Sequence, residues 1–192
     1  KVIRHAKKHG AKVVYHAHST KEDFRNSFKF SNVLSGPFKK WISNRYKRGD
    51  YILTPTPYSK ELLDGYGLKT EIQALSNGIN LSRFKDDPAK AKKFRKYFNL
   101  KTDDKVIVAA GLGIERKGIV DFIRIAEQMP QYTFIWFGDV TMKIMKRKIK
   151  NMVKASPDNC IFPGYVTGGI IEGAFCGADA FFFPSYEETE GI

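Results

Sequence analysis

The sequence predicts an α/β fold made of two doubly wound parallel-sheet units in succession. Three observations carry this expectation. Short apolar runs alternate with stretches of helical periodicity along the whole chain. The runs are continuously apolar, as in strands covered on both faces. The unusual residues gather in the turns after those runs, where a parallel sheet holds its ligand.

The elements follow in order. KVVYHAHS (12–19) reads as a short buried strand with His16 and His18 at its end. Residues 20–48 are basic and aromatic, and from Pro37 onward Phe38, Trp41, Ile42 and Tyr46 recur with helical spacing. DYILTPT (50–56) is the next strand. Pro57 and Tyr58 open a helix at SKELLDGYG, with Ser59 as N-cap and Gly65 near its stop. TEIQALSNGI (70–79) runs from strand into turn, where Asn-Gly supplies positive φ values. DPAKAKKFRKYFNL (87–100) is a lysine-rich helix with Phe94, Tyr97 and Phe98 on one side.

KVIVAAGLG (105–113) is a strand ending in a glycine loop, and GIVDFIRIAEQM (118–129) is an amphipathic helix stopped by Pro130. YTFIWFGD (132–139) is a strand, and VTMKIMKRKIKNMVKAS (140–156) a basic amphipathic helix. CIFPGYV (160–166) is a strand and turn, GGIIEGAFCGA (168–178) a helix of small residues, and DAFFFPS (179–185) a buried strand. The expected division is a first unit at 1–80, a connecting segment and helix at 81–104, and a second unit at 105–192.

The chain has 192 residues, 42% of them hydrophobic, which is ample for a packed core. No apolar run reaches the ~18 residues that span a bilayer. The chain opens on Lys, not Met, with no signal-peptide pattern, and reads as an internal piece of something longer. Cys160 and Cys176 lack metal-ligand spacing and read as reduced thiols. Residues 1–104 carry a net charge of +13, and residues 105–192 carry none. A one-sided basic unit suits an anionic partner: a membrane surface, a nucleic acid or a phosphorylated substrate. It also suits a plain solvated lysine-rich surface.

Three motifs could carry chemistry. In AAGLGIERKGIVDF a strand ends in Gly111 and Gly113, and Arg116 and Lys117 stand just before a helix. Glycine-exposed amides, a helix start and two cations make an anion site, with Lys117 on a diphosphate. The third glycine of a dinucleotide fingerprint and the order of a P-loop are both missing. In YHAHS, His16 and His18 are expected on opposite sides of the strand end, so only one is expected to face a substrate. In FFFPSYEETEGI, Glu188 lies three residues before Gly191, and Gly191 and Ile192 could start a helix. A carboxylate there can accept hydrogen bonds from a polyol beside an anion held by the helix start. Glu187 and Glu190 read as an ordinary solvated acidic loop.

Together HAHS (16–19), TPYSKELL (56–63), SNGIN followed by RF (76–84), AAGLGIERKGIVDFI (109–123), FGD (137–139), IFPGYV (161–166) and ADAFFFPSYEETEGI (178–192) resemble family 4 retaining glycosyltransferases, in the family's order and over nearly the whole chain. In detail the chain is most similar to bacterial enzymes that glucosylate diacylglycerol. The resemblance implies a GT-B fold of two Rossmann-like units, the first truncated and the second incomplete, with the acceptor-side unit at 1–80 and the nucleotide-sugar unit at 105–192. It implies Glu188 on the donor sugar's hydroxyls, Lys117 on the diphosphate, and Tyr165 and Val166 at the turn whose backbone reads the base. Arg116 stands in for an arginine that the family usually carries where this chain has Leu112. His18 is favoured over His16 for the donor side of the cleft.

The reaction implied is transfer of a hexose, glucose for choice, from a UDP-sugar to a membrane lipid such as diacylglycerol. Retention of configuration, no cofactor and no metal go with it, and this piece alone is expected to be inactive. Phe24, Phe28, Trp41, Lys39 and Lys40 are expected on the acceptor or membrane side. The setting implied is bacterial and cytoplasmic, peripheral to the inner face of the cell membrane. A GT-B enzyme for polysaccharide or protein glycosylation is the alternative. A nucleic-acid-binding protein is a remote one, since no nucleic-acid motif is present.

Overall fold

A computed structural model of the chain describes residues 2–141, 143 and 145–191. Its contacts divide it into two compact units: residues up to Ile79 together with the segment from Glu187, and Asn80–Tyr186. The helix expected in a separate connector at 81–104 therefore belongs with the second unit. The glutamate segment belongs with the first.

The first unit has helices α1 (Val2–Lys8), α2 (Lys21–Phe24), α3 (Ser31–Tyr46) and α4 (Pro57–Asp64), and strands β1 (Val14–His16), β2 (Tyr51–Thr54) and β3 (Glu71–Ala74). The strands pair in parallel in the order β1-β2-β3, with His16 opposite Leu53 and Leu53 opposite Gln73. Ile52 of the central strand is fully buried among Ala17, Ile42, Tyr46, Leu63 and Ile72. β1 is not the buried strand expected, because it lies at the sheet's edge and exposes Val14.

Two helix starts differ from expectation. α3 begins six residues before Pro37, which sits inside it. The hydrogen bond that proline cannot make is to the carbonyl of Val33, an exposed residue, so water can take its place. α4 is capped by Thr56, not Ser59. The Thr56 hydroxyl accepts from the Ser59 amide at 3.1 Å, and the Ser59 hydroxyl accepts from the Thr56 amide at 3.1 Å. Pro57 fits the first helical position because its φ is preset and no donor is needed there.

The second unit has α5 (Pro88–Tyr97), α6 (Ile119–Gln128), α7 (Arg147–Lys154) and α8 (Gly169–Gly177). Its strands are β4 (Val106–Ala110), β5 (Thr133–Phe137), β6 (Cys160–Gly164) and β7 (Ala180–Phe181), parallel in the order β6-β5-β4-β7. β5 explains why a continuous apolar run is needed. Phe134 and Trp136 meet Phe122 of α6 on one face, and Phe137 meets Phe94 of α5 on the other.

α8 is rich in small residues because α5 lies directly against it. A Cβ at Gly173 would stand 2.3 Å from the Lys90 carbonyl oxygen. Glu172 ties this pair together, accepting from Lys90 at 2.8 Å and from Arg83 at 2.9 Å. α7 is shorter than the helix expected over 140–156, and Met142 and Ile144 of that stretch lie outside the described residues.

The run FFFPS is not a buried strand. Among the described residues β7 pairs only with β4, it is two residues long, and Phe181 and Phe183 are 46% and 39% exposed. Phe182 points the other way and stacks on Phe122, with ring centroids 6.2 Å apart.

Candidate functional site

In the second unit the carboxyl ends of β4, β5 and β6 open into a cavity of about 710 Å³. Gly111, Leu112, Arg116 and Lys117 line it, as do Asp139, Tyr165 and Val166. The sequence singled out most of these residues from separate motifs, and the parallel sheet brings them to one edge. Tyr165 is 84% exposed, and its ring stands at the rim. The Asp139 carboxylate accepts from the Thr141 hydroxyl and amide, each at 2.7 Å, and these bonds hold it below the usual carboxylate range.

Two glycines make the floor possible. A Cβ at Gly138 would lie 1.9 Å from the Gly111 carbonyl oxygen, so the two strand ends touch through bare backbone. That carbonyl also accepts from the Trp136 indole at 2.9 Å. Sequence reading missed Trp136, whose ring signals only a core residue; its N–H gives it the second task of fixing the loop. One expectation is corrected. The Gly111 amide donates to Phe137 O at 2.8 Å and the Gly113 amide to Asp139 O at 2.9 Å. Both extend the sheet and are not offered to an anion, which leaves the Arg116 and Lys117 side chains as the positive charge of this pocket.

The Arg-Lys-Gly turn is set by close approach as well. Gly118 has φ +77°, and a Cβ there would lie 2.1 Å from the Pro184 carbonyl oxygen. The Tyr186 amide donates to Arg116 O at 2.8 Å. The Lys117 stem packs beside Gly111, and its ammonium lies 5.7 Å from the Phe183 ring centre. Pro184–Tyr186 therefore buttresses the turn that carries both cations.

In the first unit the segment after Tyr186 is irregular through Gly191, and the helix start expected at Gly191 and Ile192 runs into residues outside those described. Ile192, also expected on the donor, lies outside the described residues. Glu187 and Glu190 are not a solvated loop. Glu187 accepts from the Tyr58 hydroxyl at 2.7 Å, a bond that pushes the phenol up to about 12. Glu190 accepts from the Ser76 hydroxyl at 2.6 Å and from the Asn77 amide and side chain. These donors, Ser76 first, hold its carboxyl below the usual range, and His18 adds to the effect.

The histidine expectation also changes. The rings of His16 and His18 lie 4.3 Å apart instead of on opposite sides. Residues two positions apart on an extended chain share a face, so the backbone itself brings the two rings together. Among the described residues no group of three or more His, Cys, Asp or Glu is placed to hold a metal ion.

The aromatics of residues 20–48 divide in two. Phe24 stacks on Phe38 at 4.3 Å, Phe28 is half-buried, and Lys39 lies over the Tyr66 ring at 4.4 Å. The exposed apolar side chains of this stretch include Phe30, Val33, Leu34 and Trp41, with Lys29 and Arg45 over the rings of Phe30 and Trp41.

With this geometry in hand, residues 2–83 match the family model Glycosyltransferase Family 4. The chain is 48% identical over 181 residues to the processive diacylglycerol alpha-glucosyltransferase of Acholeplasma laidlawii, a match covering 94% of this chain and 54% of that protein. It is 31% identical over 187 residues to the alpha-galactosylglucosyldiacylglycerol synthase of Streptococcus pneumoniae, covering 95% and 50%. The chain thus spans about half the length of these curated relatives.

Among solved structures, Anabaena HepE in complex with UDP-glucose matches with a TM-score of 0.77 at 16% identity, over 96% of this chain and 50% of that one. Sucrose-phosphate synthase from Thermosynechococcus elongatus matches with a TM-score of 0.75 at 20% identity, over 93% and 46%. At such identities the likeness is one of fold, and the fold is that of the GT-B glycosyltransferases.

Proposed function

We propose that the intact protein transfers a hexose, glucose for choice, from a UDP-sugar to a membrane lipid such as diacylglycerol, with retention of configuration. The observation that carries the reading is the 48% identity to a diacylglycerol glucosyltransferase over 94% of this chain. The second unit's cavity suits a nucleotide: Tyr165 and Val166 take the base end, and Lys117 and Arg116 the diphosphate. As the sugar–phosphate bond breaks, negative charge grows on the leaving diphosphate, and fixed cations stabilise it more than they stabilise the ground state. With two cations for that task, the reading needs no metal and no cofactor. Glu188 is assigned to the sugar hydroxyls and His18 to the donor side, with His16 beside it.

The exposed apolar side chains of α3, with Lys29 and Arg45 over their rings, favour an acceptor that lies in an anionic membrane. On this reading the enzyme works at the inner face of the cell membrane as a peripheral protein. Among the described residues no helix is long and apolar enough to cross a membrane.

The test is full-length protein with a panel of UDP- and GDP-sugars on diacylglycerol vesicles. Lys117→Ala is expected to lower turnover by about 10²–10³-fold, the scale of losing one charge-stabilising group. Turnover that survives both Lys117→Ala and Glu188→Ala would refute the site assignment.

A further inference from the structure

We propose that Glu190 is a positioning residue whose carboxylate docks the segment bearing Glu188 onto a receptor formed by the Ser76–Asn77 turn. The proposal rests on the reading of Glu188 as a sugar ligand. Three donors on two adjacent residues converge on this one carboxylate: the Ser76 hydroxyl at 2.6 Å, the Asn77 amide at 3.2 Å and the Asn77 side-chain amide. The turn is shaped in advance for this. Gly78, at φ +71°, donates its amide to the Ser76 oxygen at 3.0 Å, which leaves the hydroxyl hydrogen for Glu190. Donors arranged in this way favour the ionised carboxylate, and the His18 ring adds to the effect.

Two further contacts hold the same short segment. The Thr189 carbonyl accepts from the Thr56 hydroxyl at 2.8 Å, and Glu187 accepts from Tyr58 at 2.7 Å. Glu188 is therefore bracketed by tethers on the residue before it and on both residues after it. Without them, three carboxylates within four residues would repel one another and spread the segment. A ligand to sugar hydroxyls must be held within a fraction of an ångström of its productive geometry, and the bracket supplies that constraint.

The experiment has two arms, both on the full-length protein. The first measures hydrogen exchange of the amides at 187–191 without substrate, in wild type, Glu190→Gln and Ser76→Ala. Both variants are expected to exchange faster there and at the wild-type rate in the cores of both units. Unchanged exchange at 187–191 overturns the proposal whatever the protein catalyses.

The second arm measures kcat and KM with the UDP-sugar. Each variant is expected to lose about tenfold in kcat with little change in donor KM, and the double variant to lose no more than the worse single one. Faster exchange with unchanged kcat, or losses that multiply, overturns the positioning role. Asn77→Asp, which sets a second carboxylate against Glu190, is expected to reproduce both effects. Full turnover in Glu188→Ala would instead defeat the reading of the donor ligand, and the exchange arm would still decide whether the segment is docked.

Discussion

A single hydrogen atom at Gly118 stands where any side chain would meet the Pro184 carbonyl, and the backbone there is left-handed. Gly118→Ala is expected to destabilise the protein by at least about 2 kcal/mol, from αL strain plus the clash. It is also expected to weaken nucleotide-sugar binding by displacing Arg116 and Lys117. Urea unfolding and donor titration of the same variant check both, and a variant as stable as wild type would show that the turn yields. Residues of this kind divide what the sequence could tell from what it could not. Lys117 was legible because a strand, a glycine turn and a helix start frame it locally. Glu190 was not, because the partners that hold it are more than a hundred positions away in the chain, and acidic residues side by side read as solvated. Only closure of the fold tells a docked carboxylate from an exposed one.

Between elements, the packing of α5 on α8 is governed by size on one side and charge on the other. Glycine at 173 allows backbone approach, and Phe94, fully buried, fills the space beyond. Glu172 closes the seam with Lys90 and Arg83, and these partners, Lys90 first, hold its carboxyl below its ordinary value of 4.5. Its folded form thus gives up a proton more readily than its unfolded form. The stabilisation is present above about pH 4.5 and is lost as pH falls through the lower folded value. The urea midpoint of Glu172→Gln is expected to lie below wild type at pH 7 and to converge on it in acid. A gap that widened on acidification would contradict the ion-pair account.

Strand and helix order was legible at this scale, because continuous apolar runs and 3.6-residue periodicity are local properties. Two details were not. Pro37 reads as a helix start, yet it is tolerated mid-helix because the carbonyl it fails to satisfy belongs to an exposed residue. The triple phenylalanine reads as buried, yet burial depends on what lies alongside a strand, and β7 has β4 on one side only among the described residues.

The whole molecule has a lopsided charge: +13 within residues 1–104 and none beyond. Sedimentation with vesicles rich in anionic lipid is expected to be strong at low salt. It should fall steeply by 1 M salt, where the screening length has shrunk to about 3 Å. Neutral vesicles should retain only the part due to the apolar side chains of α3, and equal binding to both would contradict the membrane reading. The two units also differ in how they would be seen by light. The chain's two tryptophans are shared between them: Trp41, 54% exposed, in the first, and Trp136, buried with its indole hydrogen-bonded, in the second. An exposed indole emits at longer wavelength than a buried one. The blue component of the fluorescence therefore reports the floor of the second unit's cavity and the red component the basic unit, so each unit carries its own intrinsic probe.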